Sequence, residues 1–418
     1  MERQKLIIIG NGMATSRLLD ELLRQGSGHF DISVFGEEAG GAYNRIQLSP
    51  LLAGETDREA IQLKSADWYR DNGIRLYSGD AVVRIDRVAR RVISHAGVRC
   101  DYDHLVLATG SRPARIPAQN QGLDGIFDFR TCRDVEHILD RSEQSRDAVV
   151  VGGGLLGLEA AHALNKRGLN VTLVHRADWL MNRQLDRYAG RLLRSALEAR
   201  GIRFRLGDEV VAFEGETRVT GAQLKGGERL AADCAVIATG ITPNIALAQD
   251  AGLKCGHGLL VDDLLRSEDP AISALGECIE HRGRTFGLVA PIFEQARLLA
   301  ERLVRGLTTP YRAAPVPTQL KVSGINLYSA GEHLEAPGLE TLTLSDPGAG
   351  VYRKLLLRDN RLAGVVLYGD TRDGPWYFEL LQQQAPLDDL IPMLPFGRAY
   401  CDADNGVDFA EPPRDIAV

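Results

Sequence analysis

Two glycine-rich stretches of this 418-residue chain have the residue types and spacing to hold a phosphorylated ligand. The first is Gly10-Asn11-Gly12-Met13-Ala14-Thr15, entered from Lys5-Leu6-Ile7-Ile8-Ile9. The second is Gly152-Gly153-Gly154-Leu155-Leu156-Gly157, entered from Ala148-Val149-Val150-Val151. A pyrophosphate needs backbone N–H groups at a helix N-terminus, where unpaired donors and the helix dipole both favour negative charge. Gly10 and Gly152 allow the tight turn, Gly12 and Gly154 let the backbone approach the phosphates, and Gly157 permits close packing of helix on strand. The first loop lacks that third glycine, and Ala14 and Thr15 stand in its place. Taken alone, the first loop is equally a tight turn, whereas the second meets all three requirements.

The surroundings of each loop are those of a dinucleotide fold. Each is followed by a second apolar run closed by Ala-Thr-Gly: Leu105-Val106-Leu107-Ala108-Thr109-Gly110 and Ala235-Val236-Ile237-Ala238-Thr239-Gly240. Leu18, Leu19, Leu22 and Leu23 fall on one helical face after the first loop, and Ala160, Ala161, Ala163 and Leu164 do so after the second. Asp31–Phe35 and Asn170–Val174 are the matching second strands. Alternating strands and amphipathic stretches predict βαβ units around a parallel sheet. Two nucleotide sites in one chain suggest a reduced nucleotide at one and a redox nucleotide at the other, the core of a flavoprotein reductase.

The ends of the second strands separate the two sites. Glu37 and Glu38 follow the first, about 20 residues beyond the loop, where a carboxylate binds a ribose diol. Glu37 is the candidate ligand, Glu38 the alternative, and two solvated loop acids the bland reading. His175 and Arg176 end the other strand where an NAD site usually has an acid. Arg176, and His175 if protonated, would attract a 2′-phosphate. The pair favours NADPH modestly and leaves NADH open. Two surface residues at a strand end remain the alternative.

Length suits two or three domains, and 44% hydrophobic residues suit a well-buried globular protein. A net charge of -7 offers no basic face for nucleic acid or anionic membranes. No apolar run approaches the roughly 20 residues needed to cross a bilayer, and no signal peptide is evident. The expected location is the cytoplasm. The six cysteines, Cys100, Cys132, Cys234, Cys255, Cys278 and Cys401, include no close pair for a redox dithiol, zinc knuckle or iron–sulfur run. No metal site is expected.

The texture changes near Pro310, where Pro310, Pro315 and Pro317 mark a linker. Tyr352–Leu357, an Asp359-Asn360 turn and Leu362–Leu367 then predict a hairpin. Beyond Asp402 the chain is acidic and expected to be loose. The fold class is therefore α/β, with two Rossmann-like dinucleotide domains plus a small α+β C-terminal domain. The expected boundaries are 1–112 and 241–315 for an FAD-binding domain in two segments, 113–240 for the NAD(P)H domain, and 316–418 for a C-terminal interface domain. Ala114–Gln121 and Ile241–Asn244 are the crossings between them.

Several motifs carry a family resemblance. The segment Ala42–Glu55, reading Ala-Tyr-Asn-Arg-Ile-Gln-Leu-Ser-Pro-Leu-Leu-Ala-Gly-Glu, resembles the flavin-contacting segment of bacterial NAD(P)H-dependent nitrite reductase large subunits. The same proteins are similar at Gly276-Glu277-Cys278-Ile279-Glu280-His281-Arg282-Gly283, Gly287–Pro291, Trp179–Asp186 and Leu320–Gly324. The resemblance runs to about Tyr400 and covers only the flavin and pyridine-nucleotide portion of those large, pyridine nucleotide-disulfide oxidoreductase-like proteins. The iron–sulfur and siroheme portions that reduce nitrite have no counterpart here.

By that resemblance, Arg45 lies at the FAD, and Thr109, Gly110 and Arg112 line the flavin. Gly276 and Glu277 occupy the position where broader relatives hold the ribitol chain with Gly-Asp. Pro291 is expected to begin a helix whose positive end faces the flavin N1–C2=O region. Glu159 resembles an acid on the nicotinamide side, and is also a first-turn acid suited to the helix dipole. The Ala-Thr-Gly ending at Gly240 belongs to the NAD(P)H site.

The reading is an FAD-dependent NAD(P)H oxidoreductase that passes electrons to a separate acceptor, with no catalytic side chain beyond the flavin. By resemblance the acceptor belongs to nitrate or nitrite assimilation, as an iron–sulfur, siroheme or molybdenum component. A rubredoxin or ferredoxin reductase is the nearest rival, although Pro50 stands where such relatives often carry Lys. A non-catalytic nucleotide sensor is a further alternative. A disulfide reductase would need a flavin-adjacent cysteine, and none precedes Cys100. A membrane quinone reductase would need an anchor, for which Pro375–Phe378 is better read as core or subunit interface. The segment from Leu320 to Tyr400 is the candidate docking or homodimer surface.

Overall fold

The computed structural model describes residues 3–322 and 324–401. The acidic tail expected beyond Asp402 lies outside the described residues. The chain forms two compact units. The first holds residues up to Gly152, Ala160–Leu173 and Glu209–Ala314, and the second holds Gly153–Glu159, Val174–Asp208 and the chain from Pro315. These units do not follow the segmentation by strand pattern, because part of the second nucleotide fold groups with the C-terminal sheet.

The first unit contains a five-stranded, all-parallel sheet in the order Ile272–Ala274, His104–Leu107, Gln4–Ile9, Phe30–Gly36, Arg75–Ser78. Its central strand is apolar from Leu6 to Ile9, and all four residues are buried, as a strand covered on both faces requires. The helix Met13–Gln25 follows directly. Leu18, Leu19 and Leu22 are each 0% exposed, which stabilises the sandwich by about 1.5–3 kcal/mol per side chain. Gly26 ends the helix in the left-handed conformation with φ 91.

A second five-stranded sheet has the order Arg203–Leu206, Asn170–His175, Asp147–Val151, Cys234–Ile237, Ile126–Asp128. In each case a three-stranded antiparallel meander interrupts the chain between strands of the sheet, Val82–Asp101 before His104–Leu107 and Val210–Ala231 before Cys234–Ile237. The two chain crossings pair with each other as antiparallel strands, Ser111–Pro113 against Ile241–Pro243. The first crossing thus begins three residues before the expected Ala114.

In the second unit a five-stranded antiparallel sheet runs in the order Thr318–Val322, Ile325–Gly331, Arg361–Tyr368, Val351–Arg358, Glu340–Asp346. The expected hairpin is present. Asp359 and Asn360 take φ 49 and 56, the paired left-handed residues of a tight hairpin turn. The helix Gly374–Gln383 covers this sheet. Tyr377 is 0% exposed and its hydroxyl donates to the Leu394 carbonyl at 2.6 Å, with Trp376 and Phe378 half-buried against the same core and Pro375 exposed.

Buried charges join the C-terminal sheet to the segment that follows the second nucleotide strand. Asp186 caps the helix Arg187–Glu198 by accepting from the Ala189 N–H at 3.0 Å. It also accepts from the Tyr352 hydroxyl at 2.7 Å and from Lys354 Nζ at 3.3 Å. Lys354 further reaches Glu335 at 2.9 Å. Removing one member of a buried pair strands the other charge and costs about 3–5 kcal/mol. Lys354→Ala should therefore lower the midpoint of denaturant unfolding markedly, while Lys225→Ala, at a side chain 71% exposed, should leave it nearly unchanged. Equal midpoints for the two variants would refute this role of Lys354.

Candidate functional site

The first glycine loop is seated against the turn that ends the neighbouring strand. Gly10 has φ 107, and a Cβ there would lie 2.1 Å from the Ala108 carbonyl oxygen. No side chain fits that gap. The Gly10 N–H donates to the Phe35 carbonyl at 2.8 Å. Ahead of the helix the space is open: a Cβ on Gly12 would meet nothing within 4 Å. Gly12 caps the helix without a side-chain bond, the first turn carries no acid, and the first helical bond is Ser16 N–H to Gly12 O at 2.9 Å. The N–H groups before it have no intrahelical acceptor.

Thr15 supplies what the missing glycine leaves out. It is 0% exposed and its hydroxyl donates back to the Gly10 carbonyl at 2.6 Å. It therefore braces the loop from within and has no hydroxyl left to offer a ligand as a donor. Ala14 lies beside the other flavin segment, since a Cβ on Gly276 would be 3.3 Å from its methyl group.

Around this loop the resemblance-derived residues gather into one polar network. Glu38 accepts from the Tyr43 hydroxyl at 2.7 Å and pairs with Arg45. Arg45 donates through Nη1 to the Arg130 carbonyl at 2.8 Å and stands 5.3 Å from the Tyr43 ring centroid. Burial, reinforced by Glu38, pushes the Tyr43 hydroxyl well above its ordinary pKa and keeps it a donor. Glu277 pairs with Arg130 and accepts from the Ser111 hydroxyl at 2.7 Å. Thr109 donates to the Asn244 carbonyl at 2.7 Å, and Gly110, with φ 65, accepts from the Asn244 N–H at 2.9 Å. These bonds lock the two chain crossings together. Arg112 is exposed on the first of them. Glu37 is exposed immediately past its strand, while Glu38 turns inward.

Two members of this site were not found from sequence. Arg130 follows the edge strand Ile126–Asp128, and its Nε is buried with no partner among the described residues. The capping box of Thr131 and Asp134 starts the next helix, but nothing local points Arg130 at Glu277. Gln295 is fully buried, accepts from the Gly276 N–H at 2.8 Å and donates to the Tyr311 hydroxyl at 3.2 Å. It belongs to the helix Val289–Arg305, which begins two residues before Pro291 and holds that proline in its first turn.

The second loop repeats the seating of the first. Gly152 has φ 121, and a Cβ there would lie 2.3 Å from the Ala238 carbonyl oxygen. Gly154 faces open space, with nothing within 4 Å of its Cβ position. The helix Leu155–Lys166 carries Gly157, buried, and Glu159, half-buried, near its start. Gly240, with φ 123, accepts from the Ala114 N–H at 3.0 Å.

His175 is held from both sides. Its Nδ1 accepts from the Gly153 N–H at 3.1 Å, and Nε2 lies 3.1 Å from Asn182 Oδ1. Burial lowers its pKa below the ordinary imidazole value. With Nδ1 accepting and Nε2 committed to Asn182 the ring is neutral, so the protonation on which its attraction for a 2′-phosphate was conditional is not met. Arg176, next to it, is exposed.

Both loops fit a dinucleotide, with a cradle only glycine can form and open ground before each helix. Comparison with known proteins agrees. Residues 4–296 match the pyridine nucleotide-disulphide oxidoreductase family. The chain belongs to that family. FAD and a nicotinamide nucleotide are its cofactors. Residues 315–385 match the rubredoxin NAD+ reductase C-terminal domain. The chain is 41% identical to the nitrite reductase [NAD(P)H] of Bacillus subtilis (strain 168), over 93% of this chain and 48% of that protein. It is 40% identical to the assimilatory nitrate reductase electron transfer subunit of the same organism, over 92% and 50% respectively. The chain thus spans about half the length of these relatives. A ferredoxin reductase from Rhodopseudomonas palustris superposes with a TM-score of 0.83 at 26% identity, covering 92% of this chain and 96% of that one.

Among the described residues none of the six cysteines forms a disulfide, and no group of acidic, histidine or cysteine side chains could hold a metal ion. If the paired guanidinium groups form the flavin site, Arg45→Ala and Arg130→Ala should each weaken FAD retention by roughly tenfold or more, the worth of one charge-assisted hydrogen bond. Arg99→Ala, at an exposed strand residue, should not. Flavin content after gel filtration measures all three, and equal retention would remove the arginines from the site.

Proposed function

We propose that this chain is the electron-transfer component of a nitrite- or nitrate-reducing system. It takes a hydride from NAD(P)H at the second loop and delivers electrons from FAD at the first to a separate protein. The observation that carries the reading is the repeated seating of Gly10 on Ala108 O and Gly152 on Ala238 O, each with open space before its helix. That repetition supports two dinucleotide sites within one chain.

Bound FAD supplies the capacity to accept a hydride and release electrons singly. The protein's residues bind and orient. Backbone N–H groups at Gly12 and Ala14 would hold the pyrophosphate, with Gly10 and Thr15 fixing the loop. Glu37 would take the ribose, and Arg45 and Arg130 would hold phosphate or ring-edge oxygens. Glu277, with Gly276, would reach the ribitol chain. Thr109, Gly110, Arg112 and Pro291 would border the ring. At the second loop Gly152, Gly154 and Gly157 would cradle the nicotinamide nucleotide, with Gly240 closing the site and Glu159 at its nicotinamide side. No side chain acts as acid or base in this half-reaction.

The kinship with nitrite and nitrate reductase proteins at 40–41% identity supports a nitrogen-assimilation partner. A ferredoxin or rubredoxin reductase is a second reading, favoured by the C-terminal match over residues 315–385. The C-terminal sheet is the proposed docking or homodimer face, and the cytoplasm the proposed location. No helix among the described residues is long and apolar enough to cross a membrane.

The purified protein should therefore be yellow and should reduce ferricyanide with NAD(P)H. Alone it should leave nitrite and nitrate untouched, because its sequence has no cysteine run for an iron–sulfur centre. Nitrogen-oxyanion reduction should appear on adding a siroheme or molybdenum partner. Nitrite turnover by the isolated protein at the dye rate would overturn this assignment, and rapid transfer to rubredoxin or ferredoxin alone would favour the second reading.

A further inference from the structure

The peptide of Gly153, the middle glycine of the second loop, is gripped from both sides. Its N–H donates to His175 Nδ1 at 3.1 Å, and its carbonyl accepts from the Met181 N–H at 2.9 Å. The imidazole packs directly beneath it, since a Cβ on Gly153 would lie 2.7 Å from ring atoms Cγ and Cδ2. Because Nδ1 accepts, Nε2 carries the proton and donates to Asn182 Oδ1 at 3.1 Å. Asn182 is steadied in turn, its backbone carbonyl accepting from His333 Nε2 at 3.2 Å. Met181 is held in the left-handed region with φ 54, a conformation that costs a non-glycine residue energy and persists only where its surroundings impose it.

We propose that His175 is a positioning residue for the second glycine loop, setting affinity for NADH and NADPH alike, while Arg176 alone at this strand end discriminates between them. The inference rests on the second loop being the NAD(P)H site. Fixing the Gly153 peptide fixes the direction of the next amide, at Gly154, toward the open ground where a pyrophosphate would sit. The imidazole meanwhile lies under the loop as a neutral ring. It can neither repel a 2′-phosphate as a carboxylate would nor attract one as an imidazolium would. Selection therefore passes to the exposed guanidinium of Arg176.

The test uses the FAD-loaded full chain and three variants. His175→Phe keeps a ring under Gly153 but removes the acceptor. His175→Asn restores an acceptor, because Oδ1 of Asn stands at the same bond separation as Nδ1 of His. Asn182→Leu removes the group that orients the imidazole, and serves independently should His175→Phe fail to fold. Calorimetric titration with NAD+ and NADP+ gives the dissociation constants, and dye reduction separates KM from kcat. His175→Phe should weaken both nucleotides evenly, by roughly fivefold to tenfold, with the loss falling on KM rather than kcat. Asn182→Leu should show a smaller but equally even loss, and His175→Asn should recover most of the affinity. A loss confined to one nucleotide, or His175→Asn as impaired as His175→Phe, would overturn the inference alone. Failure of the unaltered protein to bind either nucleotide would overturn the reading of the second loop, and this inference with it.

Discussion

The structure depends on one steric constraint: a glycine at the end of a strand, pressed against the carbonyl that ends the neighbouring strand. At Gly10 and Gly152 the approach leaves 2.1 and 2.3 Å between a notional Cβ and the oxygens of Ala108 and Ala238. Real Cβ atoms do not come that close, so any other residue would push the two strand ends apart. Held together, they fix where the following helix starts relative to the sheet. The uncapped N–H groups then gather over the carboxyl end of the strands, where open α/β sheets bind ligands. The small residues of Ala-Thr-Gly are the other half of the same contact.

Around the first loop, charge does what sterics cannot. The proposed flavin site draws on three distant stretches of sequence, at residues 37–45, 109–112 and 276–277, and Arg130 bonds to the first and the last of them. Its carbonyl takes Arg45, its guanidinium takes Glu277, and its Nε is buried without a partner among the described residues. An unmet buried donor costs about 1–3 kcal/mol. Carrying that cost while the neighbouring charges are paired is consistent with a donor reserved for a ligand. Gln295 plays the neutral counterpart, tying the Gly276 turn to the helix Val289–Arg305. Arg130 thus links Glu277 to Arg45, and Gln295 links the Gly276 turn to the helix that follows it, without a covalent bond.

How much of this was legible in the sequence follows from how local each signal is. The loops, strands, Asp359-Asn360 turn and change of texture near Pro310 rest on residues within one turn or one alternation of each other, and their chemistry can be read directly. Arg45 and Glu277 came only through resemblance, since nothing in their own neighbourhoods says where they point. Arg130 and Gln295 were missed for the same reason, acting across 147 and 19 positions of chain respectively. His175 ends its strand as read, while its protonation was left as a condition that the sequence could not decide. Orientation decides its protonation, and the partners that set it, Gly153 and Asn182, lie on either side in sequence with no pattern announcing the bond. The compact units also cut across the strand-pattern boundaries, and within the second of them Asp186 finds its charge partner 168 residues away.

That last pairing bears on how the C-terminal sheet relates to nucleotide binding. Asp186 caps the helix Arg187–Glu198 and accepts from Tyr352 and Lys354, while His333 reaches the backbone of Asn182. Residues 181–186, which include the strained Met181, are therefore held by the C-terminal sheet at one end and hold the Gly153 peptide at the other. A rearrangement of that sheet would reach the loop through bonds such as these. The Asn182 link is a single neutral hydrogen bond, worth about 1 kcal/mol net. The Asp186 cluster is worth more, but it acts on a helix start and not on the glycine peptide itself. Coupling of that size changes nucleotide affinity severalfold and cannot serve as an on–off switch. The C-terminal domain is better understood as the fixed support of the second loop than as a lever that opens and closes it.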